Sequence, residues 1–141
     1  MLRDRAVRFL VRREHSAFEL RRKLEKSAPE SIVNRVLEAL REEGAQSDER
    51  FAEMVCRTRV NNGQGPVRLR HELNEHRIST EIIEASMAVY EEEWCARARD
   101  AKVRKFGSRP PADYKEWAKQ ARFLQRRGFT AEQIGQSIRY E

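Results

Sequence analysis

Apolar residues recur along this chain at the spacing of an α-helix. The clearest stripe contains Val33, Val36, Leu37 and Leu40, whose i, i+3, i+4 pattern places them on one helix face. No window shows the apolar–polar alternation of period two that is typical of a half-buried strand. The longest aliphatic or aromatic run, residues 9–11, is too short for a buried parallel strand. The pattern predicts an all-α protein.

Local signals divide this helical pattern into separate elements. Ser16 with Glu19, and Thr130 with Gln133, have the spacing of a capping box, which begins a helix. Gly128 follows a periodic segment and suits the left-handed residue just after a helix. These marks predict helices over residues 3–13, 16–27, 29–43, 48–61, 66–76, 80–92, 94–106, 113–127 and 131–140.

The predicted helices follow an internal repeat. Ile32, Ile83 and Ile134 stand 51 residues apart, and each opens the apolar stripe of its helix. A leucine ends each preceding basic stretch, at Leu24, Leu73 and Leu124. A unit of three helices cannot bury both of its faces alone, so such units stack on their neighbours. We therefore predict three tandem three-helix repeats that form one continuous, curved and elongated solenoid-like bundle. The repeats cover residues 1–45, 46–93 and 94–141.

Composition fits such a spread-out core. Of 141 residues, 39% are hydrophobic and 37% are charged, against about 45–50% and about 25% in average proteins. Two cysteines cannot form a disulfide framework. The N-terminus lacks the apolar stretch of a signal peptide, and no segment is long enough to span a membrane. We expect a reduced, cytoplasmic protein that is a monomer.

Charge is distributed in alternating blocks. The chain carries a net charge of +6, which favours an anionic partner. Residues 97–127 hold eleven basic and three acidic side chains, whereas residues 78–96 hold five acidic side chains and no Lys or Arg. The basic blocks fall mainly on the first two helices of the repeats, and the acidic blocks fall mainly on the third helices of the first two repeats. We predict a basic face that binds nucleic acid, formed by Arg21, Arg22, Arg68, Arg70, Lys102, Arg104, Lys105, Arg122, Arg126 and Arg127. We predict an acidic face for a protein partner, formed by Glu81, Glu84, Glu91 and Glu92.

No arrangement of residues indicates catalysis. His71 and His76 are five residues apart, so on a helix they point roughly 140° apart and cannot share a metal ion. The glycine-rich segment 63–66 lacks the Lys-Ser/Thr of a nucleotide-binding loop. It is either a phosphate-binding turn before a helix or a tight connector. We expect no enzyme activity, no metal and no cofactor.

Aromatic residues gather in the third repeat. Core packing between the last helices explains most of them. Phe123, which lies beside Arg122 and close to Arg126, also has the surroundings of a base-stacking platform. Both interpretations of this ring stay open at the level of the sequence.

Several strings of residues resemble the RecX family, which regulates the bacterial RecA recombinase. The resemblance covers nearly the whole chain and rests on residues 12–16, 19–24, 48–52, 63–73, 104–106 and 122–129. It implies three tandem three-helix repeats and a non-enzymatic protein that lodges in the groove of the RecA–DNA filament. It also implies inhibition of ATP hydrolysis, strand exchange and coprotease activity, and hence modulation of recombination, DNA repair and the SOS response. The chain departs from the family at Ser47, where an acidic residue is usual, and at Ser27, where glycine is usual.

Two other functions are compatible with the charge pattern. One is a general nucleic-acid-binding helical repeat without a dedicated recombinase partner. The other is an adaptor that uses its acidic third helices to bind proteins. Only a recombinase partner predicts inhibition at ratios well below one protein per recombinase subunit. The resemblance leads us to expect the RecA filament as the main partner, weak non-specific contact with DNA, and no membrane contact.

Overall fold

The protein is all-helical in the computed structural model, which describes residues 1–139. Within this range the chain forms nine α-helices and one short 3₁₀ turn, with no strand, so the predicted fold class is confirmed. The helices are α1 Leu2–Arg12, α2 Ala17–Leu24, α3 Glu30–Glu42, α4 Asp48–Asn61, α5 Pro66–Glu75, α6 Thr80–Ala88, α7 Trp94–Phe106, α8 Tyr114–Arg127 and α9 Ala131–Ser137.

The largest difference from the predicted boundaries lies at the end of α6. This helix ends at Ala88 instead of residue 92, and Glu91–Glu93 form a separate 3₁₀ turn. The Tyr90 amide donates to the Met87 carbonyl three residues back, so the chain leaves the α-helical bonding pattern there. Helix α9 ends at Ser137, and position 140 of its predicted range lies outside the described residues.

Helix starts follow the capping signals only in part. Thr130 and Gln133 form both hydrogen bonds of a capping box. Ser16 caps α2 by accepting from the Glu19 amide at 3.0 Å. The Glu19 carboxylate does not complete that box, because it pairs with Arg13 instead. The guanidinium of Arg13 holds the pKa of Glu19 below its ordinary value, against the opposing effect of burial.

The chain divides into two compact units. The first contains Met1–Val55 and Leu73–Ser86, and the second contains Cys56–Glu72 and Met87–Glu141. The predicted repeat limits at residues 45 and 93, and the predicted curvature of the bundle, stay predictions.

In the first unit, α1, α2 and α3 pack on one another around a small apolar core. Its buried members are Ala6, Leu20, Leu24, Val33, Leu37 and Leu40. Several of these residues belong to the stripes that the sequence predicts. The core is narrow, in keeping with the low hydrophobic content of the chain.

A buried polar cluster joins α2 and α4 in the same unit. The Gln46 side chain donates to the His15 carbonyl at 3.2 Å and to Asp48 at 3.0 Å, and Asp48 also accepts from the Ala17 amide. Burial lowers the pKa of His15. A neutral His15 donates from Nδ1 to the Arg13 carbonyl at 3.0 Å and accepts at Nε2 from Lys23 at 2.8 Å. The cluster satisfies polar groups that burial would otherwise leave without partners.

In the second unit, α7, α8 and α9 pack on one another. A short connector fastens the start of α5 to the end of α8. The Gly65 amide donates to the Arg127 carbonyl at 2.7 Å, and the Val67 amide donates to the Gly128 carbonyl at 2.8 Å. A Cβ added at Gly65 would lie 2.6 Å from the backbone of Gly128. The glycine-rich segment is therefore a tight connector, because these two amides bind carbonyls and are not available to a phosphate.

Candidate nucleic-acid interface

An open groove in the second unit gathers several of the predicted basic residues. It lies between the C-terminal end of α4, helix α7 and the last turns of α8, and it has a volume of about 310 Å³. Arg104 and Lys105 from α7 and Arg127 from α8 line it. The structure thus brings together three of the ten predicted basic residues in one concave surface.

None of these three cations has an acidic partner in residues 1–139. Arg104 and Lys105 are exposed and form no ion pair among the described residues. Arg97, a fourth cation in the groove, donates to Glu93 at 3.0 and 2.8 Å, so a carboxylate already balances its charge. Asp100 is the one carboxylate that lines the groove among the described residues. The positive potential therefore comes mainly from Arg104, Lys105 and Arg127.

The half-buried ring of Phe123 forms part of the groove wall. Phe106 meets this ring edge-on, with the ring centres 5.4 Å apart. The Lys105 ammonium and the Arg127 guanidinium lie over the ring, 5.8 and 5.3 Å from its centre. The sequence left core packing and base stacking open for Phe123, and the structure shows a ring that packs on one aromatic neighbour and also lines a basic groove.

The remaining basic candidates of the second unit lie elsewhere. Arg68 donates to the Arg126 carbonyl at 3.2 Å beside the Gly65–Gly128 connector. Arg122 lines a different, more apolar groove with Val67 and Trp117. Arg70 is half-buried. These side chains do not line the groove that contains Arg104.

The two basic candidates of the first unit are on α2. Arg21 donates to the Asn34 side chain, and the Arg22 guanidinium lies 5.7 Å from the centre of the Phe18 ring. Arg77, which the sequence analysis did not select, approaches the same ring at 5.1 Å. This pair of arginines around Phe18 is a second cationic surface.

Helix α1 carries exposed arginines that the sequence analysis did not select. Arg5, Arg8 and Arg12 line one shallow surface of the first unit. Their spacing of three and four residues places them on one helix face, and that spacing was visible in the sequence.

The structure contradicts the prediction for Lys102. Its side chain is only 4% exposed, and its ammonium donates to the carbonyls of Gly107 and Arg109, each at 2.8 Å. Lys102 thus holds the loop after α7 and satisfies carbonyls at the helix end. It is not part of an exposed basic face.

The predicted acidic residues are all exposed, but they do not share one helix. Glu81 and Glu84 lie on α6, in the first unit. Glu91 and Glu92 lie on the 3₁₀ turn, in the second unit. Their expected placement on a single acidic third helix is wrong for this last pair, because α6 ends before it.

The other chemical candidates have structural partners. His76 Nδ1 lies 3.1 Å from the Ser16 hydroxyl, and its ring packs at a tilt of 52° against Phe51. Burial raises the pKa of Cys56 to about 11, which keeps this thiol protonated at neutral pH. Residues 1–139 contain no cluster of three or more metal-ligating side chains. No helix among these residues has the length and apolar character needed to cross a membrane.

Comparisons with known proteins agree with this architecture. Family models described as the first, second and third three-helix domains of RecX match residues 3–40, 47–87 and 91–138. Two solved structures are similar to the chain. One is a regulatory protein RecX, with a TM-score of 0.83, 20% identity, and coverage of 96% of this chain and 70% of that chain. The other is RecX from Lactobacillus salivarius, with a TM-score of 0.82, 18% identity, and coverage of 95% and 90%.

Curated relatives are more similar in sequence. Regulatory protein RecX of Halorhodospira halophila is 46% identical over 134 residues, which cover 94% of this chain and 83% of the relative. Regulatory protein RecX of Stenotrophomonas maltophilia is 43% identical over 143 residues, with coverage of 98% and 85%. Identity at this level over nearly the whole chain, together with the three matched domain models, shows that the chain belongs to the RecX family of regulatory proteins.

Proposed function

We propose that this protein is a non-enzymatic regulator that binds in the groove of the RecA–DNA filament. There it inhibits RecA ATP hydrolysis, strand exchange and coprotease activity, and so modulates recombination, DNA repair and the SOS response. The observation that carries the proposal is the basic groove of Arg104, Lys105 and Arg127, none of which has an acidic partner in the described part of the chain. Membership of a family of regulatory proteins supports the regulatory role.

The exposed cations supply the nucleic-acid contact in this proposal. Arginine and lysine side chains bind phosphate oxygens without regard to sequence, and such binding weakens as salt rises. Contact with DNA alone is therefore weak and non-specific. Of the predicted basic face, the proposal keeps Arg21, Arg22, Arg68, Arg70, Arg104, Lys105, Arg122, Arg126 and Arg127.

The acidic side chains supply a protein contact. Nucleic acid repels Glu81, Glu84, Glu91 and Glu92, whereas a protein wall with complementary charge attracts them. Charge complementarity of this kind speeds docking and fixes orientation more than it adds affinity. A filament offers both surfaces, since DNA lies within it and recombinase subunits form its walls.

A titration of recombinase ATP hydrolysis tests the proposal. We expect half-inhibition at a ratio well below one protein per recombinase subunit, because a protein lodged in a filament acts on many subunits. The general nucleic-acid-binding alternative predicts inhibition only when enough protein is present to coat the DNA. The control is the same titration on a DNA-dependent ATPase that forms no filament. Equal inhibition of both enzymes would favour the alternative.

Removing the acidic charges should weaken inhibition without weakening DNA binding. The variant changes Glu81, Glu84, Glu91 and Glu92 to Gln, which keeps side-chain size and helix propensity. We expect equal or tighter DNA binding because repulsion is lost. We expect weaker recombinase inhibition, mainly at low salt, because exposed charges are screened beyond about 8–10 Å at physiological ionic strength.

The matched control neutralises four other exposed carboxylates, at Glu25, Glu49, Glu53 and Glu132. It changes the net charge by the same amount, so it measures how far net charge alone affects inhibition and DNA binding. Circular dichroism melting of both variants checks that the fold survives. Intact inhibition in the first variant would mean that its four carboxylates only keep the protein soluble.

A further inference from the structure

The groove beside Phe123 has features that plain phosphate binding does not need. A row of exposed cations is enough to hold a DNA backbone. This groove also contains an aromatic ring, the flat guanidinium of Arg127, and two asparagines at the end of α4. These additions point to recognition of a base as well as a phosphate.

The ring and the guanidinium together form a surface on which a base can stack. The Phe106 ring packs perpendicular to the Phe123 ring, and the Lys105 and Arg127 head groups lie over the Phe123 ring within the groove. Within residues 1–139 the exposed Lys105 has only this ring as a partner, so its flexible side chain can exchange the ring for a phosphate oxygen. That exchange uncovers the part of the ring that Lys105 covers, beside the Arg127 guanidinium. Stacking of this kind tolerates any base, because every base has a π-face.

Positive and negative side chains line different parts of the groove. Arg104 and Lys105 come from the last turn of α7, whereas Asp100 lies one turn earlier on the same helix. A phosphate is attracted to the first pair and repelled by the carboxylate. Asp100 and the amides of Asn61 and Asn62 can instead bond to a sugar hydroxyl or to the edge of a base.

The size of the groove matches one nucleotide. A volume of about 310 Å³ is at the lower end of the range for small-molecule sites, which is about 300–1,000 Å³. One nucleotide fits a groove of this volume. A base in a duplex lies within the stack, so its faces cannot reach Phe123.

We propose that this groove binds one unpaired nucleotide, with the base on Phe123 and Arg127 and the phosphate at Arg104 and Lys105. The proposal deepens the proposed function and rests on it for the role of this groove in contacting DNA. It adds a preference for single strands that exposed charge alone does not produce.

The test compares binding of a fluorescent 20-nucleotide oligo-dT with binding of a 20-base-pair duplex by anisotropy. Phe123→Leu keeps apolar bulk and removes the aromatic ring. We expect it to weaken single-strand binding about 5- to 150-fold, the range for loss of one stacked base. Duplex binding and the salt dependence of both should stay unchanged. Phe123→Tyr should restore single-strand binding.

A second variant covers the possibility that Phe123→Leu does not fold. Arg127→Lys keeps the charge and removes the flat guanidinium, so it should also weaken single-strand binding selectively. Arg104→Gln behaves differently, because it removes a phosphate contact and should lower the log–log salt slope on single strands by about 0.7. An oligonucleotide with 2-aminopurine reports stacking directly: its fluorescence falls on binding to the wild-type protein and falls less with Arg127→Lys.

These measurements distinguish a free nucleotide from a nucleotide within a strand. They also distinguish failure of the stacking proposal from failure of the proposed function. Displacement of oligo-dT by millimolar dTMP would assign the groove to free nucleotides, and lack of displacement assigns it to a strand. Equal loss of single-strand and duplex binding in both variants, or no loss in either, would overturn the stacking proposal. Recombinase inhibition by the wild-type protein is measured in parallel. If the protein inhibits the recombinase but binds single strands and duplex equally, only the stacking proposal fails. If it prefers single strands but does not inhibit the recombinase, the groove is still a nucleotide site and the proposed recombinase role fails.

Discussion

Replacing Gly65 with alanine is expected to lower the free energy of unfolding by about 3 kcal/mol, the upper part of the range for overpacking. The added Cβ would lie 2.6 Å from both the carbonyl carbon and the oxygen of Gly128 and 2.7 Å from the Phe129 nitrogen. All three are backbone atoms, so no side chain can rotate away to relieve the contact. The Gly65 amide also donates to the Arg127 carbonyl at 2.7 Å, and moving the connector to make room breaks this bond.

Alanine substitutions at two other glycines serve as controls for the cause of the stability loss at Gly65. Gly63 has a φ of +84° but open space around its Cβ position, so Gly63→Ala reports backbone strain alone, about 1 kcal/mol. Gly135 lies within α9 with open space and no positive φ, so Gly135→Ala should stabilise the protein by about 0.5–1 kcal/mol. Urea unfolding followed by circular dichroism measures all three variants. A loss at Gly65 no larger than the loss at Gly63 would mean that the connector is not held tightly against α8.

Helix positions follow from the sequence because their signals are local. The start of α9 depends on Thr130 and Gln133, which are three residues apart and form the predicted capping box. The end of α6 could not be located in this way. Glu91–Glu93 have good helix propensity, yet Tyr90 breaks the bonding pattern while its ring packs against Trp94 and Arg97. These contacts accompany the end of α6, and helix periodicity carries no information about them.

The sequence predicted that the candidate site is basic, but it could not predict which basic residues form it. Arg104, Lys105 and Arg127 stand in a strongly basic block, and their meeting around Phe123 depends on how α7 packs on α8. Lys102 shows the limit of reasoning from charge. It belongs to the same block, but the loop after α7 folds back and presents two carbonyls to its ammonium. Neither the position nor the charge of a lysine indicates that such a loop will bury it.

Reversing the charge of Arg104 and Lys105 to Glu should weaken DNA binding about 100-fold or more. Each reversal removes a charge-assisted hydrogen bond to phosphate, with a contribution of about 1.5–3 kcal/mol, and it adds repulsion. Recombinase inhibition should fall with it, because the proposed function places DNA in this groove. Anisotropy with oligo-dT and the ATP-hydrolysis titration measure the two effects on the same preparations.

The matched control reverses Arg57 and Arg99, two exposed arginines of the same unit that do not line the groove. Net charge changes by the same amount in both variants, so the comparison removes the general effect of a less basic protein. We expect the control to lose less than about threefold at physiological salt, where the Debye length is about 8 Å. If both charge-reversed pairs lose the same DNA affinity, the protein binds DNA through its overall positive field. The concave site of Arg104, Lys105 and Arg127 would then have no special role, because an overall field does not depend on which two basic residues are reversed.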